Sequence, residues 1–349
     1  MSSWSGRRVL VTGHSGFKGG WLSLWLSRLG AEVTGCSLGV PTRPSLYELA
    51  EVGAALAGEF DVDVRDRAAL AEAFAASAPE VVFHLAAQPL VRRSYDAPAE
   101  TFDVNAGGTA NVLEAVRGSG SVRAVVVVTT DKVYAERADG EPHREDDRFG
   151  GADPYSASKA AAELIVAAFR RSYFSEAGSA AIATARAGNV IGGGDFGAER
   201  LVPDLVRSAE SGAPVELRNP AAVRPWQHVL NPLSGYLALA DRLLRSKDAE
   251  GGWNFGPDAQ DERPVSWLAE RFSELWEGAP SWREAPGEHP REAPVLRLDS
   301  AKARDDLRWA PRWNLERGLA ETVVWHRRVA AGERAHAVTL EQIESFEAG

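Results

Sequence analysis

Three sets of residues in this 349-residue chain have types and spacings that could do chemistry. Gly13, Gly16 and Gly19 follow a short apolar run, Thr130-Asp131-Lys132 follow another, and Tyr155 is followed four residues later by Lys159. Glycines so spaced between a strand and a helix let the backbone approach a pyrophosphate. A Tyr and a Lys one helical turn apart share a face, and a nearby ammonium lowers a phenol's pKa from about 10 toward neutrality, making a base for an alcohol. Thr130 and Asp131 add proton donors beside it. The combination suggests hydride transfer coupled to elimination.

The elements that must position these groups can be read from periodicity. Arg8 to Thr12, Glu32 to Ser37, Val81 to Leu85 and Val122 to Thr129 read as strands; Trp21 to Leu29, Ala68 to Ala76, Thr101 to Arg117 and Tyr155 to Tyr173 read as helices. Such alternation predicts an α/β fold of the Rossmann type, a doubly wound parallel sheet covered on both faces. The fully apolar Val125 to Val128 fits a central strand, and Thr130 then falls at the carboxyl edge where such sheets bind ligands. Residues 1–188 are expected to form the dinucleotide-binding domain, with the chain returning to it around 225–250, and 189–349 mainly a smaller C-terminal lobe. Seven of the eleven Trp lie from Trp253 onward, where core packing is the expected role, and the tail from Ala331 reads as helical and polar.

An acidic residue about 20 positions beyond the glycines would usually bind the adenosine ribose. This chain has Cys36, Ser37, Leu38 and Gly39 there, so the spacing leaves NAD and NADP both open. Asp63-Val64 could hold the adenine edge, and Asp66 reads as a helix cap.

Composition narrows the partners. A formal net charge of −10 argues against binding nucleic acid, although a local basic pocket for a diphosphate is expected. The apolar runs fall far short of the roughly 18 residues that span a bilayer, so no membrane segment is expected. The N-terminus leaves no room for a signal peptide before Val9, which predicts a cytoplasmic protein. A single cysteine, Cys36, excludes an internal disulfide and a cysteine-built metal cluster; it reads as a buried strand residue, and no metal site is expected.

The glycine loop, His84-Leu85-Ala86-Ala87-Gln88, Asn105, Thr130 and Tyr155-Ser156-Ala157-Ser158-Lys159 resemble the extended short-chain dehydrogenase/reductase superfamily, whose members act on nucleotide sugars. More narrowly, GHSGFKGGWLSLWL, HLAAQPLVRRSY, TDKVY, GGADPYSASKAAAEL, ARAGNVIGGGD and RNPAAVRPWQHVLNPLSGYL are similar to the CDP-glucose 4,6-dehydratase family, over about residues 7 to 325.

The resemblance implies a role for each matching position. Tyr155 would take the proton of the sugar 4-hydroxyl, with Lys159 tuning it and holding the nicotinamide ribose. Thr130 would hydrogen-bond that hydroxyl, and Asp131 would protonate the departing 6-hydroxyl. Lys132 stands where the dTDP-glucose and GDP-mannose dehydratases have Glu, either as the carbon-5 base or orienting groups while another takes the proton. Cofactor contacts are implied at Gly13, Ser15, Gly16, Phe17, Lys18 and Gly19, at Asp63 and Val64, and at Leu85, Ala86, Ala87 and Asn105. Substrate contacts are implied at Gln88, Arg93, Asn189 and Leu201, with Asn189 and Arg224 around the diphosphate and the stretch from Arg224 through Gln227 to His228 lining the approach. His289 and Arg291 would add polar contacts.

The expected reaction is internal: oxidation at carbon 4, loss of the carbon-5 proton and the 6-hydroxyl, and return of the hydride to carbon 6. The expected cofactor is therefore tightly held NAD, regenerated in each turnover. The helices Thr101 to Arg117 and Tyr155 to Tyr173 resemble those that pair into a four-helix interface, which implies a homodimer. Two departures stand out: Val133 where the family commonly has Cys, and Pro294-Val295 where it has His-Tyr. A nucleotide-sugar epimerase, a dehydratase for another nucleotide sugar and a non-catalytic cofactor sensor are the alternatives. Thr-Asp-Lys argues against the first, and an intact Tyr155 and Lys159 against the last.

Overall fold

The computed structural model describes residues 3–137, 139–287 and 295–349. Six strands open the fold: β1 (Arg8–Thr12), β2 (Glu32–Ser37), β3 (Gly58–Asp61), β4 (Val81–His84), β5 (Ala124–Val128) and β6 (Ala181–Ala187). A seventh, Gly251–Phe255, joins at the edge, giving the order 251–255, β6, β5, β4, β1, β2, β3 with every neighbour parallel. The order reverses between β1 and β4, and that split opens a crevice at the carboxyl ends of the strands.

Alternation along each strand feeds two cores. Ala124, Val126 and Val128 face one layer, while Val125 and Val127 face the other, against helices Arg67–Ser77, Gly108–Gly118 and Pro154–Tyr173. With both faces covered, every β5 residue is buried, which is why that strand can be apolar throughout. Cys36 is fully buried on β2, and the Asp66 carboxylate caps its helix by accepting from the N–H groups of Ala68 and Ala69. Val202, Leu205, Leu268, Phe272, Leu319 and Val323 make a further cluster, the core of the second lobe. Trp253, Trp309, Trp313 and Trp325 pack in the core of the first layer, and Trp267, Trp276 and Trp282 against the second lobe.

Two elements differ from the sequence reading. The segment expected as one helix from Thr101 to Arg117 is broken into Pro98–Phe102, a π-turn at Asp103–Gly107 and Gly108–Gly118. Gly108 lies so close to Val64 that a Cβ would come within 2.6 Å of its Cγ2. The tail beyond Ala331 does form a helix, Ala335–Ala348, but not a polar one: Val338, Ile343 and Phe346 are buried, and Glu347 accepts from Trp25 Nε1 at 2.8 Å on the first helix, Phe17–Arg28. No helix among the described residues is long and apolar enough to cross a membrane.

Candidate active site

The crevice holds a cavity of about 920 Å³ that runs from the glycine loop to the second lobe. At its base the chain turns sharply after β1. Gly13 has φ +78°, and a Cβ there would lie 2.7 Å from the Ala86 nitrogen; one on Gly19 would lie 2.0 Å from the Gly13 oxygen. Only glycine lets the loop sit this close to the segment after β4. The helix that follows begins at Phe17 with no side chain capping it, which leaves its first N–H groups available to an anion. These features fit the pyrophosphate of a dinucleotide. Gly13, Ser15, Gly16, Phe17, Lys18 and Gly19 all line the cavity, as do Leu85, Ala86 and Ala87.

Where an acid usually follows β2, Ser37 instead holds the loop. Its Oγ accepts from the Ser15 N–H at 3.3 Å and shares a 2.9 Å hydrogen bond with His14 Nδ1. Asp63 and Val64 line the cavity nearby, and the Arg65 guanidinium holds the Asp63 carboxyl below its ordinary pKa.

At the far end, Thr130 leaves β5 and caps a single turn, Asp131–Val133, accepting from the Lys132 N–H at 3.4 Å. Its hydroxyl donates to Asp131 Oδ1 at 3.0 Å, while the buried Oδ2 has no hydrogen-bond partner among the described residues. Burial pushes the Asp131 carboxyl above its ordinary pKa, and Lys132, Thr130, Arg224 and Lys18 oppose that shift. Tyr155 and Lys159 come from helix Pro154–Tyr173, whose start is fixed by a Pro at its first position and a reciprocal cap between Asp153 and Ser156.

The sequence predicted a phenol lowered by Lys159. Instead burial pushes Tyr155 up to about 12; Thr130 and Arg200 pull it down, and Asp131 and Asp153 push it further up. Lys159 lines the same cavity, but its Nζ donates to the Val128 carbonyl at 3.1 Å, and burial lowers its own pKa to about 8. Of the cations, Arg200 opposes the rise of the phenol's pKa.

Other predicted positions divide by orientation. Arg93, Asn189, Leu201 and Arg224 line the cavity, with Arg93 paired to Glu100 at 3.0 Å. Gln88 also lines it, yet its side chain is spent on its own loop, donating to the Leu90 carbonyl and to Thr101 Oγ1 at 3.0 Å each. Asn105 does not reach the cavity: it lies behind that loop, accepting from the Gln88 N–H at 2.8 Å and donating to Ser158 Oγ at 2.9 Å. Gln227 and His228 are likewise placed elsewhere. Alternation turns Arg224 and Trp226 to the cavity and Gln227 away, where its Nε2 donates to the Phe255 carbonyl at 2.7 Å. His228 is fully buried between Trp21 and Trp313, and its pKa falls to about 3. His289 and Arg291 lie outside the described residues.

Two site residues escaped the sequence reading. Asp195 and Arg200, paired at 3.0 Å, line the cavity on the loop after the Gly192 run; Asp195 closes the motif ARAGNVIGGGD without being given a role, and no motif reaches Arg200. Lys18, expected as a cofactor contact, has Arg200, Asp131 and Asp195 among its charged neighbours, and burial lowers its pKa to about 8.

Known proteins of this shape and sequence agree on a family. The chain is 47% identical, over 98% of its length and 97% of the relative's, to CDP-glucose 4,6-dehydratase of Salmonella typhimurium. It is 30% identical, over 76% of its length and 79% of the relative's, to dTDP-glucose 4,6-dehydratase of Neisseria gonorrhoeae. Among solved structures, dTDP-glucose 4,6-dehydratase of Streptomyces venezuelae with NAD bound superposes with a TM-score of 0.79 at 26% identity, covering 93% of this chain and 98% of that one. UDP-glucose 4-epimerase of Thermus thermophilus in complex with NAD gives 0.80 at 28% identity, covering 92% and 99%. The model of the NAD dependent epimerase/dehydratase family matches residues 9–254, and the chain belongs to that family.

Proposed function

We propose that this chain is an NAD-dependent nucleotide-sugar 4,6-dehydratase, a hydro-lyase that converts CDP-glucose to its 4-keto-6-deoxy form. The observation that carries the reading is the buried Asp131 Oδ2, without a hydrogen-bond partner among the described residues, on a carboxyl held above its ordinary pKa beside Tyr155 and Thr130. An epimerase has no leaving hydroxyl and no use for such an acid. The 47% identity to the Salmonella relative supports CDP-glucose as the substrate.

When bound, oxidised nicotinamide supplies a positive charge to the site and an acceptor for the hydride that leaves carbon 4 and later returns to carbon 6. Beside that charge the Tyr155 phenol would release its own proton to water, and the phenolate so formed takes the 4-hydroxyl proton. Thr130 has one hydroxyl hydrogen and two acceptors for it, Asp131 Oδ1 and the Tyr155 oxygen. As the phenolate forms, the hydrogen turns toward it, and Asp131 loses the donor that favoured its ionised form. The protonated Asp131 then delivers its proton to the 6-hydroxyl, which departs as water, while water takes the carbon-5 proton and returns one there as the hydride reaches carbon 6, and Lys132 beside it steadies the enolate between. Arg224 and Arg200, which both line the cavity, offer planar donors to the diphosphate.

The protein is proposed to be a cytoplasmic homodimer. Helices Pro98–Phe102 and Pro154–Tyr173 leave Phe102 and Leu164 exposed, large apolar side chains of the kind a second copy covers; light scattering tests this. Incubation with CDP-, dTDP-, UDP- and GDP-glucose plus NAD tests the activity. The alkaline absorbance of a 4-keto sugar should appear with CDP-glucose, whereas a carbon-4 epimer without it would identify an epimerase.

A further inference from the structure

Glu163 extends the face that carries Tyr155 and Lys159 by one more helical turn. It is almost fully buried, and its two oxygens accept four hydrogen bonds. Oε1 takes the Thr129 hydroxyl at 2.6 Å and Arg186 Nε at 2.8 Å; Oε2 takes the Thr184 hydroxyl at 2.7 Å and Arg186 Nη2 at 2.9 Å. Arg186 Nη1 continues the network to the Tyr134 hydroxyl at 2.6 Å and the Glu145 carbonyl at 3.0 Å. The Tyr134 hydroxyl in turn donates to Asn254 Oδ1 at 2.7 Å.

Thr129 and Tyr134 flank the Thr130-Asp131-Lys132 turn on either side. The sheet holds the first flank, since the Thr129 N–H donates to the Ala185 carbonyl at 2.9 Å. Beyond it the chain leaves the sheet; Val133 and Tyr134 pack on Ala160 of the Tyr155 helix, and the side-chain network adds the polar tie between the second flank and that helix. A buried ion pair is roughly break-even against apolar packing, so stability alone is a poor reason for this one.

We infer that Glu163, Arg186 and Tyr134 are positioning residues for the elimination step, holding Asp131 and Lys132 at a set distance from Tyr155 and Lys159. The inference rests on the dehydratase reading. Thr130 sits next to the sheet-held flank, so hydride transfer from carbon 4 depends on the network less than the acid does.

Tyr134→Phe removes the hydroxyl and keeps the ring that stacks on His143 at 4.7 Å. In the full protein supplied with NAD and CDP-glucose, product formation should fall about 10- to 100-fold, the cost of a small misplacement. Reduced nicotinamide should accumulate on the protein, KM and NAD affinity should hold, and Asp131→Asn should show the same spectroscopic signature. Glu163→Gln should give a larger version of it. Parent-rate turnover in Tyr134→Phe, or a fall in product with no reduced nicotinamide accumulating, overturns the inference. A parent protein that makes no 4-keto sugar from any nucleotide glucose instead overturns the dehydratase reading on which it rests.

Discussion

Asp131 and Glu163 are both buried carboxylates beside the end of β5, and they are treated in opposite ways. Glu163 has a guanidinium and two hydroxyls filling its oxygens. Asp131, which lines the cavity, has one hydrogen bond from Thr130 and a buried oxygen with no hydrogen-bond partner among the described residues. A buried polar group is normally satisfied, because leaving it otherwise costs free energy. The first arrangement therefore holds backbone in place, and the second keeps an atom in reserve for a ligand.

The comparison can be broken from the cavity side first. Tyr155→Phe keeps the ring and removes the base, so turnover should drop by roughly two to four orders of magnitude, with the unfolding transition near that of the parent. Steady-state formation of the 4-keto sugar and a denaturant titration check the two halves. Near-parent turnover in a folded variant would take Tyr155 out of the mechanism.

Breaking the satisfied side should show in stability. Arg186→Met strands the Glu163 charge and should cost about 3–5 kcal/mol, whereas adding Glu163→Met should restore most of the loss, because the paired desolvation cost disappears with the pair. Chemical denaturation of the two variants measures this. Equal stability of both would mean that the two side chains are not energetically coupled.

The smallest effect has the opposite sign. Asp131 binds its proton more tightly in the folded than in the unfolded chain, since burial raises its pKa. Its contribution to stability is thus fully present below the unfolded value of about 3.8 and is lost as pH rises through the folded value. Asp131→Asn carries no charge at any pH, so it should gain stability on the parent as pH rises through that folded value, while dehydration fails. The gain should vanish toward pH 4. Denaturation of variant and parent across that range decides the point, and a loss of stability as pH rises would show that Asp131 is structurally satisfied after all.

The difference between these regions also marks how far the chain could be read. The bounds of β1 and β2, the burial of Cys36, the Asp66 cap and the glycine turn were legible because each depends on neighbours a few residues away. Orientation was less so. Gln227 and His228 sit in the same short stretch as Arg224 yet leave the cavity, because pairing of Gln227 with Val190 and His228 with Ile191 decides which way each faces. Asn105 lies in a π-turn that periodicity did not register and supports the Gln88 loop from behind.

Residue types and spacing by themselves determined the order of strands and helices, the glycine turn and the candidates for the reacting groups, since chain geometry and chemical type act locally. Which cation opposes the rise of the Tyr155 pKa was decided only when folding committed Lys159 to the Val128 carbonyl and brought Arg200 across from a loop 45 residues beyond the phenol. The pairing of Glu163 with Arg186 likewise needed a helix packed against a strand 23 residues away. Desolvation and hydrogen-bond satisfaction belong to a side chain's surroundings, so only the tertiary structure could make one carboxylate a fastener and leave the other an acid.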